Sequence, residues 1–181
     1  MRPRFIPAFV LTISLTATLA FAQEVKKENV PGITNFSHVE TTIACAGATT
    51  PAAVAEVKRL GYAAIINLRQ ANEQGANLEA EEAAAKAAGI TYIHLPFNAA
   101  APDPTVVDKF LAAVSAPANQ PVFVHCASAN RASALWMIKR MLVDGWDETR
   151  ASAEATALGM TSPALRSFAL EYVASHKKAA N

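Results

Sequence analysis

Cysteine is scarce in this chain. Cys45 and Cys126 are its only two, too few for a disulfide scaffold, and the four histidines at 38, 94, 125 and 176 complete no zinc-ligand spacing with them. Neither sign of charge dominates: 16 Lys and Arg stand against 15 Asp and Glu. There is thus no basic excess to release counterions from a phosphate backbone, and nucleic acid is excluded as a default partner. Only 17% of residues are charged while 52% are hydrophobic, a balance that excludes a disordered or polyelectrolyte protein. Beyond the N-terminus no run is long and apolar enough to span a bilayer. The 181 residues suit one domain with a short appendage rather than two full domains.

That appendage is the start of the chain. Arg2 and Arg4 precede an apolar run over 5–19, and Ala20, Phe21 and Ala22 supply the small-residue pattern that signal peptidase needs. The run falls short of the roughly 20 residues of a spanning helix, so residues 1–22 are expected to be a cleaved secretory signal, delivering the protein to an oxidising periplasm or the exterior. No cysteine follows Ala22, which excludes lipid attachment there. Residues 23–34 are charged, lack apolar periodicity and read as a flexible lead-in; 35–181 reads as the domain.

Within it helices and strands alternate. Thr50 and Pro51 open a helix that Gly61 ends, Asn77 opens one that stops at Gly89, and Asp103 with Pro104 opens a third. Asp147 and Ser162 open two more near the C-terminus. The apolar runs 62–68, 90–95 and 121–125 between them read as buried strands, with a further strand pair expected at one edge within 35–46. Such alternation predicts an α/β fold, three layers α/β/α around a mostly parallel sheet. Ligands of such sheets sit beyond the carboxyl ends of the strands.

There the sequence carries His125, Cys126, Ala127, Ser128, Ala129, Asn130 and Arg131. A buried strand ends at a cysteine, small residues follow, and a helix begins near the arginine. Loop amides and the helix N-terminus would gather positive partial charge into one concavity. That field favours thiolate at Cys126, making it a nucleophile, and Arg131 offers a planar fork for two oxygens of a tetrahedral anion. His125 reads as support for the loop. Asp103 fits equally a general acid over the nucleophile and a helix cap, with Asp108 one turn further on. Arg69, at a strand end, reads either as a contact for an anionic substrate or as a solvated side chain. His94 reads as a satisfied core residue, Trp136 and Trp146 as core, and Glu79, Glu81 and Glu82 as a solvated helix face. Cys45 is expected in a turn, either simply buried or poised to bridge Cys126 in a redox switch.

At these residues the chain resembles the protein tyrosine phosphatase superfamily, and more closely the exported bacterial phosphatase-like proteins related to the beta-lactamase-hydrolase-associated domain. The resemblance implies a tyrosine-phosphatase-like fold and a phosphorylated substrate, small molecule or protein. It implies Cys126 as the nucleophile of a phosphocysteine intermediate, Arg131 as the phosphoryl clamp, residues 127–130 and Ser133 as substrate-binding, and an acid such as Asp103. It implies no metal and no cofactor.

Three departures mark this chain. Four residues separate Cys126 from Arg131, where the superfamily has five. Ala129 stands where glycine is usual, so a left-handed residue is expected at Asn130. Ala132 occupies the place of a hydroxyl residue, leaving Ser133 or Ser128 as substitutes. A four-residue loop also resembles rhodanese sulfurtransferases, which carry sulfur on the cysteine, and a non-catalytic anion-binding or redox-responsive module is the third alternative.

Overall fold

A computed structural model describes residues 25–179; residues 1–22, the expected signal, lie outside the described residues. Six strands form one sheet: β1 (Lys26–Lys27), β2 (Ser37–Val39), β3 (Ile43–Ala46), β4 (Ala64–Asn67), β5 (Thr91–His94) and β6 (Val122–His125). Their order is β1-β2-β3-β6-β4-β5. The first two pair antiparallel, while β3, β6, β4 and β5 run parallel. Helices α1 (Val54–Arg59) and α2 (Leu78–Ala88) cover one face. The other is covered by α3 (Pro104–Ser115), α4 (Asn130–Leu142), α5 (Glu148–Leu158) and α6 (Pro163–Ala179). This is the expected three-layer α/β architecture.

The two cores follow from strand alternation. Val122, Val124 and Cys126 join the α3–α6 side with Ile66, Leu68, Phe110 and Leu135. Phe123 joins Phe36, Ile65, Val54 and Val57 on the α1–α2 side, where the His125 ring stacks on Phe123 at 5.7 Å. Helix ends obey their caps: Asn77, Asp103 and Asp147 accept amide hydrogens of the first turn, and Gly89 and Gly159 take positive φ where α2 and α5 stop.

Two elements differ from the sequence reading. The described part of the lead-in, 25–34, is ordered: β1 pairs with Ser37 and His38, and Val30 and Ile33 are buried, because two apolar residues in a charged stretch are enough to pin it. The strand pair within 35–46 is not all edge. β3 lies inside the sheet beside β6, with Cys45 opposite Val124, so Cys45 sits in a buried strand and not in a turn.

Candidate active site

The carboxyl ends of β3, β6 and β4 converge on Cys126. Its amide donates to Ala46 O at 3.2 Å, the Ala48 amide donates to Ala127 O at 3.0 Å, and the Leu68 amide donates to His125 O at 2.9 Å. The flanks of Cys126 are therefore continuations of the ladder on both sides. By contrast, among the described residues no protein oxygen accepts from the amides of Ala127, Ser128, Asn130, Arg131 or Ala132. Amides left without a protein acceptor on a loop leading into a helix can form an anion cradle.

Arg131 is nearly buried, 8% exposed. Its Nη1 and Nη2 donate end-on to the two carboxylate oxygens of Glu73 at 2.5 and 2.7 Å, and Nη1 also donates to Leu68 O and Phe97 O, each at 3.0 Å. No described oxygen accepts from Nε, so the Nε/Nη2 edge is the one left for a ligand. Partial burial pushes the Glu73 carboxyl up, but hydrogen bonds from Arg131, the Gln70 amide and Arg69 outweigh it and leave it at about 2. Glu73 is thus a fixed negative charge. Sequence reasoning missed it, and the available signal was Arg131 itself, since a buried arginine needs a counter-charge.

Arg69 does not face a ligand. It is buried, donating to Gln74 O and Gly75 O at 2.5 and 3.0 Å and to Glu73 at 3.4 Å, and so folds the segment that carries Glu73. His94 is exposed rather than core, held to Arg69 O at 2.8 Å.

The left-handed residue of the loop is Ala129, at φ 73°, and not Asn130. Asn130 opens α4, and its Oδ1 accepts from Thr161 N at 2.7 Å, Thr161 Oγ1 at 3.2 Å and Ser162 N at 2.9 Å; helical backbone there passes the strained turn back one residue. Ala129 is buried against Gly159, where an added Cβ would stand 3.2 Å from the Ala129 Cβ. Ser133 donates its hydroxyl to Ala129 O at 2.9 Å, so that proton is committed. Ser128 keeps an exposed side chain beside a groove of about 880 Å³ that Lys27, Thr34, Asn35, Asn130 and Thr161 also line.

Asp103 accepts at both oxygens from Thr105, the amide and the hydroxyl each at 2.9 Å. Asp108 accepts from the Tyr172 hydroxyl across α3 and α6. Cys126 is fully buried, as is Cys45, and both are free thiols. Burial pushes the Cys45 thiol well up, with the neighbouring Cys126 adding to it. Trp136 is core as expected and Trp146 packs partly buried against the same cluster, while Trp136 Nε1 donates to Glu154 at 2.7 Å and Arg140 lies over both indole rings.

A family model described as beta-lactamase hydrolase-like protein, phosphatase-like domain, matches residues 35–143. No curated protein matches the chain. Among solved structures, Pseudomonas aeruginosa TpbA is 22% identical, with 87% of this chain and 92% of that chain covered and a TM-score of 0.65. The core catalytic domain of the PP-IP phosphatase SIW14 of Saccharomyces cerevisiae is 23% identical, with 78% and 86% covered and a TM-score of 0.64. Tk-PTP is 15% identical, with 78% and 96% covered and a TM-score of 0.67. These likenesses establish the tyrosine-phosphatase-like fold.

Proposed function

Since the chain belongs to the family of beta-lactamase hydrolase-like, phosphatase-like domains, we propose that it is a cysteine-dependent phosphatase working through a phosphocysteine intermediate. The observation that carries this reading is a set of donors around one thiol: the amides of Ala127, Ser128, Asn130, Arg131 and Ala132, which no described oxygen occupies, and the Nε side of the Arg131 guanidinium, which lies beside Cys126. They suit a tetrahedral oxyanion.

In the first step the Cys126 thiolate attacks phosphorus, an S–P bond forms, and the bond to the leaving oxygen breaks with its electron pair. In the second, water attacks phosphorus, the S–P bond breaks, and inorganic phosphate leaves with the thiolate restored. Arg131 holds two of the phosphoryl oxygens through both steps. Asp103 has both oxygens accepting from Thr105, so in this reading it caps α3 and turnover favours leaving groups that depart unprotonated, aryl phosphates or phosphoanhydrides. TpbA has been crystallised with phosphotyrosine, and SIW14 is described as a PP-IP phosphatase; both substrates fit that chemistry. The substrate body would extend into the groove beside Ser128. Residues 1–22 are proposed to direct export and be removed, which intact-mass measurement of exported protein checks: a chain beginning at Met1 overturns it.

The deciding experiment is phosphate release from an aryl phosphate under reducing conditions. Cys126→Ser is expected to abolish turnover while retaining vanadate binding, and Arg131→Lys to weaken that binding, because an ammonium lacks the two-point fork. Full activity in Cys126→Ser rejects the mechanism. An inactive wild type that instead forms a thiosulfate-dependent persulfide on Cys126 replaces it with sulfurtransfer.

A further inference from the structure

Behind the sheet, opposite the thiol, lies a buried polar group that the proposed chemistry does not use. Asn67 and His125 are direct partners in the β4–β6 register, and both are fully buried. Glu81 of α2, only 3% exposed, reaches both strands. Its Oε2 accepts from Asn67 Nδ2 at 3.0 Å, and its Oε1 lies 2.7 Å from His125 Nε2. The latter approach is close but off the line of a hydrogen bond, so it is a polar contact whose geometry depends on where β6 sits. Asn67 Nδ2 also meets Tyr92 Oη at 3.0 Å, and Asn67 Oδ1 accepts from the Arg69 amide at 2.8 Å.

Taking a carboxyl group out of water is costly unless it is paired and hydrogen-bonded. An apolar residue at position 81 would fill the α1–α2 side without that cost. What the carboxylate adds is a two-point bridge between strand ends. The residues that follow its two partners in the chain, Cys126 and Leu68, turn to the opposite face. Cys126 is the thiol; Leu68 O holds Arg131 Nη1, and Arg69 continues into the segment whose Glu73 holds the rest of the guanidinium.

We infer that Glu81 is a positioning residue: bridging Asn67 and His125 from behind the sheet, it sets the spacing between the Cys126 loop and the Leu68–Glu73 segment that orients Arg131. The inference rests on the proposed oxyanion chemistry of that site, but its test needs no turnover. Cys126 is alkylated with iodoacetamide in the full chain, with increasing inorganic phosphate as protectant, alongside thermal unfolding.

In Glu81→Gln, which keeps the shape but puts an amide N–H in place of one of the two bridging oxygens, the phosphate concentration giving half protection is expected to rise about tenfold with folding retained. Glu81→Asp, one methylene too short to span both strands, is expected to behave likewise, and Asn67→Ala combined with Glu81→Gln to add little to either alone. A folded Glu81→Gln with wild-type phosphate protection overturns the inference. So does a Glu81→Gln that fails to fold, which would make the residue one of stability. A wild type that is protected by phosphate yet releases none from esters would remove the phosphatase reading and leave this one standing.

Discussion

Glu73 grips Arg131 end-on, with both carboxylate oxygens engaged at 2.5 and 2.7 Å, and in doing so decides which edge of the guanidinium a ligand can use. An arginine held by one partner would swing; held by Glu73, Leu68 O and Phe97 O, it is preorganised before any anion arrives, and little side-chain entropy remains to be lost on binding.

Glu73→Gln removes the charge and one of the two acceptors. The KM for an aryl phosphate is expected to rise about tenfold, roughly the 1.4 kcal/mol of a charge-assisted hydrogen bond, and steady-state kinetics check it. The same pair has a pH signature. The folded carboxyl at about 2 lies below the ordinary 4.5, so its stabilisation is complete above about 4.5 and fades as pH falls towards 2. Denaturant titrations should show wild type and Glu73→Gln converging across that window, and a gap that persists at pH 2 would assign the stabilisation elsewhere.

Ala129→Gly should stabilise the protein. The left-handed backbone costs alanine about 1–2 kcal/mol, of which the greater freedom of unfolded glycine takes back part, leaving a gain of up to about 1 kcal/mol. Gly159→Ala should do the reverse, since its φ of 116° resists any Cβ and that atom would crowd Ala129. Thermal unfolding of the two variants reads both signs.

For Asp103 the expected result is a cap's. Asp103→Ala should cost about 1 kcal/mol of stability and Asp103→Asn much less, because asparagine caps nearly as well. Neither should change the ratio of turnover on alkyl and aryl phosphates. A selective loss on alkyl esters in both variants would make Asp103 the general acid instead.

Cys45 should stay reduced beside Cys126. A bridge forms through thiolate attack, and burial keeps Cys45 a thiol. Peptide mapping under non-reducing conditions is expected to find both free after air exposure; a Cys45–Cys126 peptide would restore the redox switch.

Much of this was legible in the sequence for physical reasons. Asn77, Asp103 and Asp147 announce helices because capping is local chemistry, and the run over 121–125 announces a central strand because both its faces are buried. Cys126 and Arg131 stood out as residue types in a strand-loop-helix context. What stayed hidden is long-range. Nothing near Glu73 says that Arg131, far along the chain, needs its charge, and Glu81 follows the period of a solvated face while pointing into the sheet. The shift of the left-handed residue to Ala129 was equally out of sight, since it depends on Thr161 and Ser162 drawing Asn130 into α4.

That last tie has a practical side. The family match ends at residue 143, yet the first residue of α4 is fastened to the connection between α5 and α6 through Thr161 and Ser162, and Gly159 of the same connection backs Ala129. An expression fragment trimmed to the matched stretch would therefore keep every residue of the cradle while discarding its scaffolding, and a single protease nick between Gly159 and Ser162 would be felt at the thiol.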